Sequence, residues 1–493
     1  MSVVVAIDAG TTGVRALAVN ERGDVVDAAY EEFPQYFPRP GWVEHDPEEI
    51  WAAVVATLGA VVQRLSDSGT AVAAIGVTNQ RETTVVWDRA RGLPLHRAIV
   101  WQDRRTAKLC EQLAAEGHLD LVRRQTGLVL DPYFSGTKLA WLLRDGGVEA
   151  GPDLAFGTVD SWIIWKLTEG AVHVTDASNA SRTMLFDIGR MAWSEDLTSL
   201  LGVPFACLPE VRPSSGRLGT TAAGVVSGLS AGVAISGVAG DQQASLFGQA
   251  CFQPGMTKNT YGTGSFVLMN VGPDCPDPVD GLLTTVAWTL GGAERRAYAL
   301  EGAIFATGAA IQWLRDGLGI ISEAAEIGPL AASIDDSEGV FVVTAFAGLS
   351  SPWWDPYARG TIVGLSRGSG RRQLARAVVE AMAYQTRDVV TAMTHASGVT
   401  VSNLRVDGGA SVMDLLLQLQ ADQLQIPVAR SRVPDTTAMG AAYLAGLAEG
   451  VWGSIEEVAS LWAADHEAQP RRRGDERYEQ WRRAVDRALG WDR

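Results

Sequence analysis

Val3-Val4-Val5-Ala6-Ile7-Asp8-Ala9-Gly10-Thr11-Thr12-Gly13-Val14-Arg15-Ala16-Leu17-Ala18-Val19 is the stretch on which the fold turns. An apolar, β-branched run meets a turn of small residues, and a second apolar run follows. The pattern predicts a β-hairpin whose tip carries a carboxylate, two hydroxyls and glycines. A similar unit returns between Met256 and Met269, where Tyr261-Gly262-Thr263-Gly264 forms the tip. Two further units alternate with the hairpins. Ile235 to Gly240 runs into Asp241-Gln242-Gln243, and Leu404 to Gly409 runs into a Leu- and Gln-rich helix from Asp414 to Leu424. Each reads as an apolar strand, then Gly and Asp, then a helix. The order hairpin, strand–Asp–helix, hairpin, strand–Asp–helix predicts an α/β chain built from two copies of one architecture. The boundary falls near 249–256, giving lobes at 1–250 and 251–493. The period is too long for a solenoid.

Size and charge agree with this. At roughly 100–200 residues per domain, 493 residues suggest two to four domains. Hydrophobic residues make up 47% and charged residues 20%, enough for a sizeable core and against bulk disorder. The 41 basic and 57 acidic side chains leave −16, which disfavours nucleic acid or an anionic membrane as partner, since both demand a basic surface. No run reaches the roughly 18 uncharged apolar residues of a membrane span. The N-terminus lacks a basic segment and reads as a first strand rather than a signal peptide. Cys110, Cys207, Cys251 and Cys275 show no CxxC pairing, which predicts free thiols in a reducing, cytoplasmic setting. Asp46-Pro47-Glu48-Glu49 predicts a capped helix start, and 478–489 an amphipathic terminal helix. Arg471-Arg472-Arg473 reads as a solvated connection.

Chemistry is sought first at phosphate. No GxxxxGK[ST] is present, so a P-loop is excluded. Gly262-Thr263-Gly264 lies in a hairpin rather than at a strand-to-helix turn, which disfavours a dinucleotide fingerprint. Hairpin tips rich in Gly and Thr can still cradle phosphates with backbone N–H groups and hydroxyls. Two facing tips would grip a triphosphate from both sides. Asp8 would then lie beside phosphate, which calls for magnesium, and Arg15 could add positive charge. Arg81 and Glu82 stand at the end of the strand around Ile75-Gly76-Val77. They suit either the recognition of hydroxyls or a structural ion pair. Asp241, also at a strand end, could take a hydroxyl proton or cap the next helix. Trp101 and Phe266 could be core aromatics or the apolar wall of a small pocket.

Six stretches together resemble one family. They are Pro40-Gly41-Trp42-Val43-Glu44-His45-Asp46-Pro47, Thr78-Asn79-Gln80-Arg81-Glu82-Thr83-Thr84, Asp131-Pro132-Tyr133-Phe134-Ser135-Gly136-Thr137-Lys138, Ser236-Gly237-Val238-Ala239-Gly240-Asp241-Gln242-Gln243, Tyr261-Gly262-Thr263-Gly264 and Trp353-Trp354-Asp355-Pro356-Tyr357-Ala358-Arg359-Gly360. They resemble the glycerol kinases among the FGGY carbohydrate kinases, over about residues 3 to 489. The resemblance implies two duplicated actin-like ATPase domains of ribonuclease H-like fold flanking a catalytic cleft. It implies transfer of phosphate from ATP to glycerol, with Asp241 as general base.

By the same resemblance, glycerol would be held by Arg81, Glu82, Tyr133, Asp241 and Gln242, with Trp101 and Phe266 as apolar wall. ATP phosphates would meet Thr11, Thr12, Gly13, Arg15 and Thr263. Gly308, Gln312, Gly409 and Met413 would line the nucleotide side, and magnesium would sit by Asp8, through water, and Asp241. A homodimer or homotetramer is implied. The chain departs from the pattern at Met413, where the family usually has Asn. The stretch 228–234 lacks the Arg of a fructose 1,6-bisphosphate loop, and no His lies between 173 and 395. Neither form of control is expected. Two rival readings are an FGGY kinase for another polyol or ketose, and a non-catalytic actin-fold ATP switch.

Overall fold

The computed structural model describes residues 2–291 and 295–493. Its frame is two large mixed sheets, one in each half of the chain. In the first, strands run in the order Ser215–Thr220, Ala234–Gly240, Ala71–Asn79, Ser2–Ala9, Gly13–Asn20, Val25–Glu32. The expected hairpin is present: Ser2–Ala9 and Gly13–Asn20 pair antiparallel, with Asp8 opposite Arg15. Ser2–Ala9 pairs parallel with Ala71–Asn79, which pairs parallel with Ala234–Gly240. The second sheet runs Leu283–Thr289, Arg296–Ile304, Ser265–Gly272, Met256–Tyr261, Asn403–Gly408, Val428–Ser431, Ala464–Ala468. Its hairpin pairs Tyr261 with Ser265, and parallel strands again follow on the far side. The two lobes are thus copies of one actin-like, ribonuclease H-like architecture.

The equivalence drawn from sequence needs one correction. Asn403–Gly408 lies next to its hairpin, the place that Ala71–Asn79 holds in the first sheet. The counterpart of Ala234–Gly240 is Val428–Ser431. Gly and Asp mark a strand end that opens on the cleft, not the strand's rank in the sheet. Val428–Ser431 is short and ends in Arg432-Val433-Pro434, so it carries no such mark.

The helices after these two counterparts, Asp241–Gly248 and Thr436–Ala448, cross at the boundary between lobes. Their backbones touch. A Cβ on Gly248 would strike the Thr436 carbonyl, and one on Gly440 the Ala244 carbonyl. Thr436–Ala448 is apolar all round because it is buried all round, lying on the first sheet as well as on its partner helix. Val4, Ala6 and Val19 of the first sheet therefore share one core with Phe247, Trp288, Ala441 and Leu444. Each side chain of Leu or Phe size buried there stabilises by about 1.5–3 kcal/mol. That core ties the lobes together at the base of the cleft.

On the outer face of the first sheet lies Pro47–Asp67. Asp46 caps it as expected, accepting from the Glu48 N–H at 2.9 Å. This helix is long and apolar enough, by length and composition, to cross a membrane. It carries Glu48, Glu49 and Arg64, and its Ile50, Val54, Leu58 and Val61 are buried in the first-lobe core. The terminal helix spans Asp475–Ala488 and buries Trp481, Ala484, Val485 and Ala488, after an exposed, irregular 471–473. The four cysteines are free, three of them buried.

Candidate active site

The carboxyl ends of the parallel strands open on the cleft. Arg81 and Glu82 follow Ala71–Asn79 there, and Glu82 sits at φ +61°. A non-glycine residue in that region costs of order 1–3 kcal/mol, so the surrounding contacts must hold it. They do so through a buried quartet. Arg182 Nε donates to Glu82 Oε1 at 2.7 Å and Arg182 Nη2 to Glu301 Oε1 at 2.9 Å. Arg81 Nη1 donates to Glu301 Oε2 at 2.6 Å and to Gln243 Oε1 at 3.2 Å. Burial would push the Glu301 carboxyl up, but Arg182 and Arg81 outweigh it and hold it at about 2. Glu301 lies on Arg296–Ile304 of the second lobe, so the pair expected to bind hydroxyls is braced from across the cleft.

Asp241 does not cap its helix. Gly240 is the N-cap, and Asp241 is the first helical residue. Its Oδ1 accepts from the Gln242 N–H at 2.7 Å and faces Arg81 Nε at 3.2 Å. Its side chain is 31% exposed, against 1% or less for Arg81, Glu82, Arg182 and Glu301. Asp241 is thus the most exposed carboxylate of this group. Burial raises its proton affinity, and Arg81 and Lys258 pull it part of the way back.

Arg81 Nη2 donates to the Tyr133 hydroxyl at 3.4 Å. The Trp101 ring meets Tyr133 edge-on at 5.6 Å, and Phe266 lies 6.0 Å from the Arg81 guanidinium. Both rings are half-buried; Phe266 also packs against the core that joins the lobes, while Trp101 lies beside Tyr133. Trp101 Nε1 also donates to Thr11 Oγ1 at 3.0 Å, which joins that ring to the first hairpin tip. Lys138 Nζ donates to the carbonyls of Tyr133 and Phe134, at 2.5 and 3.1 Å, and so fixes the loop that carries Tyr133.

The second tip opens on a cavity of about 690 Å³, lined by Thr263, Gly308, Gln312, Gly409 and Met413 among others. All five second-lobe candidates for the nucleotide side meet there. The Gly308 N–H donates to the Gly262 carbonyl at 3.0 Å, and a Cβ on Gly308 would lie 2.6 Å from that oxygen. Only glycine lets the helix Gly308–Gln312 dock this closely. In the first tip, the Gly10 N–H donates to the Gly13 carbonyl at 3.0 Å, and Thr12 is exposed. Arg15 pairs with Asp435 of the second lobe and lies 5.6 Å from the Tyr30 ring, so a phosphate would compete with that carboxylate for its charge.

The N-terminal domain of the FGGY family of carbohydrate kinases matches residues 3–248, and its C-terminal domain matches residues 257–449. The chain belongs to the FGGY family of carbohydrate kinases. It is 53% identical to glycerol kinase 2 of Thermotoga maritima over 501 residues, covering all of both chains. It is 52% identical to the glycerol kinase of Bordetella parapertussis, over 99% of this chain and 98% of that one. The crystal structure of Plasmodium falciparum glycerol kinase with ADP superposes with a TM-score of 0.95 at 31% identity, over 99% and 98% of the two chains.

In this FGGY kinase the second carboxylate of the cleft is Asp8. Burial first, and the charge of Asp241 next, push it up to about 7. Two mutually repelling carboxylates favour a cation between or beside them. Among the described residues no group of three His, Cys, Asp or Glu could cage a metal. A sparse oxygen set suits magnesium, which keeps waters and takes phosphate oxygens for its remaining ligands.

Glu301, Arg182, Gln243 and Lys258 pack into this cluster of side chains, and sequence reading missed them. For Glu301 and Lys258 a signal existed: Lys258 is the lone charge of Met256–Tyr261, and Glu301 the one acid of Arg296–Ile304, in an otherwise apolar stretch after Arg296. Arg182 had none, because its partners lie 100 and 119 residues away.

Proposed function

We infer that the protein is a glycerol kinase, transferring the γ-phosphoryl group of ATP to glycerol to give ADP and sn-glycerol 3-phosphate. The observation that carries this is the joining of Arg81, Glu82 and Asp241 in one polar cluster, with Gln242 beside Asp241, in a chain 52–54% identical to several glycerol kinases. Arg81 donates to hydroxyls and Glu82 accepts from them. An acceptor that lacks a hydroxyl would leave buried charge unsatisfied, which is the stronger kind of discrimination. Asp241, the exposed carboxylate, takes the proton of the terminal hydroxyl. Its raised proton affinity suits a base.

Residues 1–250 would hold glycerol and phosphate, and 251–493 the nucleotide. Thr11, Thr12 and Gly13 would face Thr263 across the phosphates, while Gly308, Gln312, Gly409 and Met413 line the nucleotide cavity. Asp8, through water, and Asp241 would hold magnesium, which would supply positive charge to neutralise the phosphates. Phosphoryl transfer asks chiefly for positioning and charge neutralisation. Closure about the Asp241–Gly248 and Thr436–Ala448 crossing would exclude water and so prevent hydrolysis. The reading includes a cytoplasmic homodimer or homotetramer, and light scattering of the purified protein counts its subunits. Phosphorylation of glycerol, dihydroxyacetone, xylulose and gluconate, compared side by side, tests the acceptor. Glycerol should give the highest kcat/KM, and a ketose or aldonate preferred over it would overturn the assignment.

A further inference from the structure

Three cations lie buried where the lobes meet. Arg81 and Arg182 are both spent on carboxylates. Lys258 is the third. It is 0% exposed, and among the described residues no carboxylate lies within 4.0 Å of it. Its Nζ donates instead to Gln242 Oε1 and, at 2.9 Å, to Thr260 Oγ1. The adjacent strand offers Asp407, in register with Thr260, but its Oδ2 is taken by neutral donors: Gln249 at 2.8 Å, Ser245 at 3.2 Å and Thr436 at 2.5 Å. An ammonium carries three N–H bonds, so one is left over. A buried cation without a bonded anion is costly, and burial lowers the pKa of Lys258 to about 8 while Asp407 and Asp241 hold it up.

Its place explains the cost. Lys258 lies on Met256–Tyr261, which runs directly into the tip Gly262-Thr263-Gly264 at the nucleotide cavity. Its head reaches Gln242, next to Asp241 at the acceptor pocket. It therefore stands between the donor side and the acceptor side of the cleft. We propose that Lys258 is a further catalytic residue, whose ammonium meets the γ-phosphoryl group during transfer and whose hydrogen bond turns the Gln242 amide nitrogen toward the acceptor. The second part is forced by chemistry: Lys only donates, so Gln242 must present its oxygen to Lys258 and keep its N–H bonds for a ligand.

The step rests on the glycerol kinase reading above. The glycerol terminal oxygen forms a bond to Pγ, and the bond from Pγ to the β–γ bridging oxygen breaks. The proton of the hydroxyl passes to Asp241, and ADP leaves with the bridging oxygen. Lys258 gains and loses nothing; it offsets negative charge on the oxygens of the group in flight.

The test uses the full-length protein with K258M and K258R, measuring turnover with glycerol and ATP, and the affinities for ADP and for the non-hydrolysable analogue AMP-PNP. K258M should lower kcat roughly 100- to 1,000-fold, the usual loss for a preorganised charge or donor at a transition state. It should weaken AMP-PNP about tenfold and ADP by less than about twofold, since ADP lacks the γ-phosphate. K258R, which keeps the charge, should recover at least about tenfold of the lost turnover. Turnover of folded K258M near wild type overturns the proposal, as does equal weakening of ADP and AMP-PNP, the mark of a merely structural cation. Where K258M does not fold, K258Q takes its place against K258R, and equal turnover of those two overturns it. Failure of the wild type to phosphorylate glycerol would sink the kinase reading, and the AMP-PNP-against-ADP comparison would still judge Lys258.

Discussion

The two ends of the cleft are built by opposite means. The acceptor end is a lattice of buried charges: Arg81, Glu82, Arg182 and Glu301 bond one another, and Asp241 is the most exposed of the group. The nucleotide end is shape and backbone: glycines at 262, 308 and 409, one threonine, and apolar walls around about 690 Å³. A triol of this size offers little surface, so recognition must come from paired hydroxyls and charge. A nucleotide offers a large flat base and a phosphate chain, which backbone N–H groups and a fitted cavity can hold. The first design concentrates free energy in a few side chains, and the second spreads it over many contacts. Single substitutions should therefore cost much at one end and little at the other.

Asp241→Asn should show the largest effect, lowering kcat by roughly 10²–10⁴-fold in a protein that still binds glycerol. Near-normal turnover of the folded variant would remove Asp241 as the base. Glu301→Gln comes next. It strips both arginines of a counter-charge, and breaking a buried pair in this way costs about 3–5 kcal/mol in unfolding free energy. Chemical denaturation reads that loss, with a raised KM for glycerol beside it. The pH dependence has a definite sign. Glu301 is held at about 2 in the folded protein against an ordinary 4.5, so its contribution is present above pH 4.5 and lost as pH falls toward 2. Glu301→Gln should flatten that part of the acid-unfolding curve; an unchanged slope would show that the quartet is not the source.

Phe266→Ala should raise the KM for glycerol roughly tenfold, the scale of a lost apolar contact, and leave that for ATP within about twofold. Equal changes in both would dissolve the distinction between the two ends. Met413→Asn should have the smallest effect. A single added neutral hydrogen bond is worth about 0.5–1.5 kcal/mol, so the KM for ATP should fall less than about tenfold. A larger change would mean that the nucleotide end, too, hangs on one side chain.

What could be read in advance follows the same division. The hairpin tips, Asp8, Asp241 and the Arg81–Glu82 pair were legible because each is a local cluster at a strand end, where α/β ligand sites gather. The rank of Val428–Ser431 was not, since a four-residue strand leaves almost no pattern. Glu301 stood out as the one acid of its strand, but its partner was hidden. It meets Arg81 across 220 residues of chain, and only the packing of one lobe on the other joins them. The nucleotide cavity showed its glycines but hid its apolar walls, because Ile311, Pro329 and Leu415 look like ordinary core residues until three separate segments converge. Arg15 looked free in sequence, and its partner Asp435 lies in the other lobe.

ADP release by the purified protein, with and without glycerol, tests the central claim most directly. If the buried lattice exists to orient a triol beside ATP, glycerol should raise ADP release by at least about 100-fold, with one sn-glycerol 3-phosphate formed per ADP. ADP release that glycerol does not change, from a protein that binds ATP, would contradict the account and point to a nucleotide switch instead.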